Sequence, residues 1–219
     1  MKTISIISQK GGAGKTTLAL NLAGAAEAFG HRCVVIDLDP QASAKGWHDH
    51  RQKESPVVIS AQASRIKDVL DTARQHGADV CIIDTAPHSE TAALAAARAA
   101  DLILIPCRAG ILDLRGISSS VDLVQLAKRP ALVVLNAVPP RGGLADQAAE
   151  AIKPYGIEVA SARISQRASF NHSLTAGQTA VEYDPEGVAA QEIRDLYQLA
   201  CKQAGMITRN KPNKERKTA

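Results

Sequence analysis

Aromatic residues are nearly missing from this chain of 219 residues: they make up 3% of it, and Phe29, Trp47, Tyr155, Phe170, Tyr183 and Tyr197 stand singly. A stacking platform for single-stranded nucleic acid needs several rings together, so the scarcity argues against one. It also makes the interior aliphatic, built from Ala, Val, Leu and Ile. The four cysteines form no C-x-x-C pair. Cys33, Cys81 and Cys107 fall in or beside apolar runs, where a thiol acts as a small buried hydrophobe. Neither a disulfide framework nor a zinc site is indicated, and a reducing cytoplasm fits. No apolar stretch approaches the ~20 residues of a membrane span. No leader sequence is read either, because Met1–Ser8 is a short strand-like run that meets Lys10 and a glycine turn. What is present is ordinary globular composition, 45% hydrophobic and 22% charged. That excludes collagen-like, coiled-coil and wholly disordered chains, and the length suits one domain with a full core.

The net charge of +4 is local. Residues 208–219 carry Arg209, Lys211, Lys214, Arg216 and Lys217 against Glu215 alone, which leaves the body neutral. This stretch has no apolar periodicity. It reads as a disordered tail over 206–219 that follows a single domain over 1–205. A phosphate-seeking arm is compatible with that reading.

Short β-branched runs recur at Thr3–Ile7, Cys33–Ile36, Val57–Ile59, Val80–Ile83, Leu102–Ile105 and Leu132–Leu135. Between them lie helix-length stretches rich in Ala, Leu, Gln and Arg, at about 15–29, 64–76, 89–99, 113–128 and 142–153, with a last helix at about 185–204. Continuous apolar strands alternating with helices predict an α/β fold: a doubly wound, mostly parallel sheet with helices on both faces.

The first strand runs into Gln9-Lys10-Gly11-Gly12-Ala13-Gly14-Lys15-Thr16-Thr17 and then a helix. A strand, a glycine-rich turn, Gly-Lys-Thr and a helix, in that order, make a P-loop. Glycines let successive backbone N–H groups curl around a phosphate, and the helix N-terminus adds its positive end. Lys15 supplies charge to the β- and γ-phosphates, and the Thr16 hydroxyl is placed to ligate Mg²⁺. Lys10 is either a solvated charge beside the site or a cation that meets phosphate from another direction. Further on, Asp37 and Asp39 lie two apart at the end of an apolar run. Both can face the crevice where open α/β sheets bind ligands, one holding Mg²⁺ through water and the other orienting an attacking water. A surface turn is the plainer alternative. Asp84 ends another apolar run and can hold Mg²⁺ from the sheet side. Asn136 ends a third, where an amide suits either a turn or an adenine edge.

Lys10–Thr17 resembles the deviant Walker A motif, KGGxGKT[ST], of the ParA/MinD superfamily. Asp37-Leu38-Asp39-Pro40-Gln41 resembles that superfamily's DxDPQ segment, and Val80–Pro87 its Walker B strand, with Ala86 a small departure. The segment from Leu102 through Asp113, and more loosely Ile164–Val181, resemble later blocks. The resemblance covers roughly residues 1–204. It implies ATP and Mg²⁺, with Lys10, Lys15 and Asp39 acting in hydrolysis. It implies Gly11, Gly12, Ala13, Gly14, Lys15, Thr16, Thr17 and Asn136 at the nucleotide, and Thr16, Asp37 and Asp84 at the metal. Lys10 is expected to reach the partner's nucleotide in an ATP-sandwich homodimer.

The resemblance further implies a nucleoid-associated, cytoplasmic partition ATPase that binds double-stranded DNA without sequence preference. Its partner would be a ParB-like or small centromere-binding protein. Candidate DNA contacts are Arg194, Lys202 and the tail cations Arg209, Lys211, Lys214, Arg216 and Lys217. A positioning ATPase for a protein assembly or a conjugation complex is the alternative. A metabolic P-loop enzyme, such as an amidoligase, would need a polar substrate cluster that the sequence does not display. No operator-reading extension, amphipathic membrane helix, C-terminal tyrosine cluster or cluster-bridging cysteine pair is expected. Ile207–Ala219 has only Ile207 and Ala219 as apolar residues, too few for a membrane face.

Overall fold

In the computed structural model, residues 1–110, 113–114 and 116–207 are described. The tail cations Arg209, Lys211, Lys214, Arg216 and Lys217 lie outside the described residues. Seven strands form one sheet: β1 (Lys2–Ile6), β2 (Cys33–Asp37), β3 (Val57–Ser60), β4 (Val80–Asp84), β5 (Leu102–Cys107), β6 (Ala131–Leu135) and β7 (Glu158–Val159). Their order is β3-β2-β4-β1-β5-β6-β7. Every pairing is parallel, so the expected mostly parallel sheet is wholly parallel among the described strands.

Alternation along each strand sends side chains to two cores. Ile4, Ile6, Val35, Ile82, Leu104 and Val134 face one. Ile36, Cys81, Ile83, Ile103, Ile105 and Val133 face the other. The first core is covered by α1 (Lys15–Ala28), α2 (Ser43–His50), α7 (Ala168–Thr175), α8 (Ala180–Tyr183) and α9 (Val188–Ala204). The second is covered by α3 (Ile66–Gln75), α4 (Glu90–Ala99), α5 (Ser118–Ala127) and α6 (Leu144–Ile152). Helix α1 is buried at ten of its fourteen residues, which is why it shows no clear apolar face. It packs so closely on the turn before α8 that a Cβ on Gly24 would collide with the Thr179 side chain. All four cysteines are free and buried, as the apolar runs around Cys33, Cys81 and Cys107 suggest for those three.

The helix expected over 113–128 is regular from Ser118 to Ala127. Helices α2, α7 and α8 and strand β7 are additions that the periodicity did not signal. Helix α2 has eight residues with Gly46 inside and only Ala44 fully buried. Strand β7 has two residues, too few for any period to register. No helix among the described residues is long and apolar enough to cross a membrane.

Candidate functional site

The parallel sense of the sheet brings the C-terminal ends of β2, β4 and β1 side by side. Asp37 pairs in register with Asp84, and Asp84 with Ile6, the last residue of β1 before the glycine turn. Within the turn, Gly12 has φ +72° and Gly14 φ +90°. The reversal these angles produce leaves α1 starting with no side-chain cap and no acidic residue in its first turn. Its first amide groups therefore have no partner from the helix and point at the crevice. A Cβ on Gly11 or Gly12 would meet nothing within 4 Å, so the cradle is open. A Cβ on Gly14 would collide with Asn136 Nδ2, so that position admits only glycine without a shift of Asn136.

The loop is braced from three sides. Asn136 Nδ2 donates to the Ala13 carbonyl at 2.7 Å. The Gln9 amide donates to Ser120 Oγ of α5 at 3.1 Å. Lys15 Nζ donates to the Lys10 carbonyl at 3.2 Å. Lys15 is buried, which pushes its ammonium pKa down, while Asp84 and Asp39 pull it back up. A buried cation beside two carboxylates, held at the root of an uncapped helix, is built to meet anionic oxygen.

Asp84 is wholly buried, and neither carboxylate oxygen has a hydrogen-bond partner. Desolvation raises its pKa to about 7, with Asp37 and Asp39 adding repulsion and Thr16 and Lys15 opposing it. An orphaned buried carboxylate beside a threonine hydroxyl fits a divalent cation. No group of three His, Cys, Asp or Glu residues that could hold a metal occurs among the described residues. The site therefore suits a cation that takes its other oxygens from phosphate and water, the habit of Mg²⁺.

Asp37 is tied down more firmly than its sequence position suggested. Its Oδ1 accepts from the Asp39 amide at 3.0 Å, and its Oδ2 from the amides of Ala44 and Lys45 at 3.0 and 3.1 Å. It thus holds the start of α2. Asp39 stays half-exposed, with Oδ1 accepting from the Gln41 amide at 2.9 Å. Lys10 is engaged by an ion pair, its Nζ 2.7 Å from Asp113 Oδ1.

Asn136 also lines a cavity of about 160 Å³ beside the loop, with Gly14, Thr17, Arg108, Gln166, Arg167 and Phe170 among its walls. Of this group, sequence reasoning identifies Asn136, Gly14 and Thr17 and misses Arg108 and Phe170. Only the loosely matched block near Ile164 hints at the rest. Ser120 escapes it altogether, since nothing marks one serine among Ser118, Ser119 and Ser120 until α5 turns it toward Gln9. A larger cleft of about 660 Å³ beside Trp47 and Gly177 is lined by none of the expected site residues.

Comparison with known proteins agrees with this geometry. The maintenance of carboxysome distribution protein A of Halothiobacillus neapolitanus is 26% identical, over 89% of this chain and 94% of that protein. The chromosome partitioning protein ParA of Caulobacter vibrioides is 25% identical, over 87% and 90%. The septum site-determining protein MinD of Pyrococcus horikoshii, solved with Mg-ADP, shares the fold with a TM-score of 0.76 at 20% identity, over 93% of this chain and 97% of that one. The family model for the CobQ/CobB/MinD/ParA nucleotide binding domain matches residues 4–180, and with the glycine loop, the uncapped α1 and the orphaned Asp84 on one rim of the sheet, this chain belongs to that family.

Proposed function

We propose that this chain is a ParA-type ATPase, one domain over 1–205 with a basic tail, that works as an ATP-bound homodimer on DNA. The observation that carries the reading is the placement of Lys15, Thr16, Asp84 and Asp39 around one uncapped helix start. Lys15 and the amides of Gly11–Thr17 bind the β- and γ-phosphates. Thr16 and Asp84 hold Mg²⁺, with Asp37 in its outer shell. Bound Mg²⁺ neutralises charge on the phosphate oxygens. Asp39 orients the water that attacks the γ-phosphate. Asn136 and the cavity beside it receive the adenine. Lys10 exchanges Asp113 for the partner subunit's nucleotide. A centromere-binding protein stimulates hydrolysis and releases the DNA.

The test is co-sedimentation with a random-sequence DNA duplex at several salt concentrations, with ATP, with ADP and without nucleotide. Asp39→Ala serves to hold the ATP state. Binding is expected only with ATP, with log affinity falling by about 0.9 per phosphate contact for each unit of log salt. No ATP-dependent DNA binding at low salt replaces this reading with the second one, a positioning ATPase whose cargo is a protein assembly. The relative named for carboxysome distribution favours that second reading.

Lys10 offers a separate check. Lys10→Ala is expected to keep nucleotide affinity within about threefold, since its charge is already paired with a half-exposed partner, worth little on its own. The nucleotide-dependent dimer is expected to be lost in sedimentation velocity. Asp113→Ala only frees the lysine and keeps the dimer. A full dimer with full turnover in Lys10→Ala makes Lys10 an ordinary surface charge.

A further inference from the structure

On the flank of the molecule, α4 and α5 leave a cleft of about 270 Å³ between them, lined by Glu90, Leu94, Ser119, Asp122, Leu123 and Leu126. It belongs to neither the phosphate cradle nor the base cavity, whose walls are other residues. Three of its six walls are leucines. Leu123 is buried and anchors the floor, Leu94 is half-buried, and Leu126 is 61% exposed. Among the large exposed apolar side chains, only Ile207 at the end of the described chain is more exposed. The two charged walls, Glu90 and Asp122, are both exposed carboxylates, and neither forms an ion pair among the described residues. Among the described residues, the nearest cations in sequence, Arg98, Lys128 and Arg129, stand at the C-terminal ends of the two helices and do not line the cleft. Leucines flanked by unpaired carboxylates match a segment that presents leucine-like side chains every three or four residues with lysine or arginine beside them.

We propose that the α4–α5 cleft docks an amphipathic, cationic helical segment of a partner protein. The face has a direct line to the phosphate loop. Asp122, Leu123 and Leu126 line the cleft from α5, and Ser120 of the same helix, 1% exposed, accepts from the Gln9 amide at 3.1 Å. A segment seated on α5 therefore presses on the residue next to Lys10. This coupling rests on the ATPase reading above, whereas the docking itself does not.

The probe is a fluorescein-labelled, 14-residue peptide of leucine and lysine in helical spacing, titrated by anisotropy without nucleotide. A leucine–glutamate peptide of the same pattern is the control. Docking predicts micromolar binding of the lysine peptide that weakens about tenfold in Leu126→Ser, the loss of roughly one buried leucine's transfer free energy. It also predicts weakening by severalfold in Glu90→Gln/Asp122→Asn, and no change in Leu144→Ser, an exposed leucine elsewhere. All these residues are at the surface, and unchanged thermal unfolding shows that each variant is folded. Equal binding of the two peptides, an effect of Leu144→Ser as large as that of Leu126→Ser, or no binding overturns the proposal. Nucleotide-free self-association abolished by Leu126→Ser overturns it in favour of a second copy of this chain as the occupant. Because no nucleotide is present, a failure here leaves the ATPase reading standing, and a failure of ATP binding leaves this one standing.

Discussion

Lys15→Ala loses nucleotide affinity by about a hundredfold or more in a titration with a fluorescent ATP analogue. The wild-type side chain is buried beside Asp84 and Asp39, and the loop's other cation, Lys10, is already paired with Asp113. Removing one partner of a desolvated charge pair costs about 2–5 kcal/mol, which is ~30-fold to several-thousandfold in affinity. The two carboxylates that lose their counter-ion then add repulsion toward phosphate. Lys10 does not substitute, since its ammonium is already held 2.7 Å from Asp113. Lys15→Arg restores the charge but not the compact point-like head that the Lys10 carbonyl receives at 3.2 Å, so it recovers only part of the affinity. Wild-type affinity in Lys15→Ala removes the phosphate-loop assignment altogether.

The second large effect is on stability, and it runs the opposite way. Asp84 has a folded pKa raised from 3.8 to about 7 by burial. Below the ordinary carboxylate pKa the group is neutral in both the folded and unfolded chain, and it costs nothing. Between there and about pH 7 the unfolded chain gives up the proton while the folded chain keeps it, so stability falls as pH rises. Above the folded pKa the full penalty is present, at about 1.4 kcal/mol for each pH unit that separates the folded and unfolded titrations. Asp84→Asn has no proton to lose. Its nucleotide-free form is expected to match the wild type near pH 4 and to exceed it by about 2–4 kcal/mol at pH 8, less whatever the buried amide costs for want of a partner. For a chain of this length that is a rise in Tm of roughly 4–16 °C. The same variant is expected to lose the extra stabilisation that Mg²⁺ adds to nucleotide, because its amide carries no charge for the ion. Thermal melts from pH 4 to 8, with nucleotide and with or without Mg²⁺, read both effects. An Asp84→Asn protein that is less stable than wild type at pH 8 refutes the orphaned-charge account.

The site is unevenly legible in the sequence. Lys15, Thr16 and the glycines can be read because a phosphate loop is local: eight consecutive residues between one strand and one helix carry the chemistry. Asp37, Asp39 and Asp84 can be placed because each ends an apolar run, and parallel strands bring such ends to one edge. Strand order cannot be read, since crossovers through helices leave no trace of whether β4 sits beside β2 or β3. The ties that span the chain are equally silent. Asn136 reaches Ala13 across 123 residues, and Ser120 reaches Gln9 across 111. The short elements escape for a different reason. Helix α2 is held less by an apolar face than by the Asp37 carboxylate gripping the amides of Ala44 and Lys45, an anchor outside the helix itself.

That grip has a mechanical consequence. Asp37 joins the Asp39 amide through one oxygen and the first turn of α2 through the other, so the Asp39 turn and α2 are tied to one carboxylate. Downstream, Arg51 stacks over Trp47 of α2 at 4.3 Å and bonds Glu182 at 2.8 Å. Glu182 in turn holds Thr179, whose neighbour Ala180 donates to Asn21 of α1. The chain of contacts thus runs from the Asp39 turn to Asn21 of the buried phosphate-loop helix. Strain introduced at one point of such a path is shared along its length. The helix that begins at the phosphates and the turn that carries Asp39 thus work as two ends of one spring.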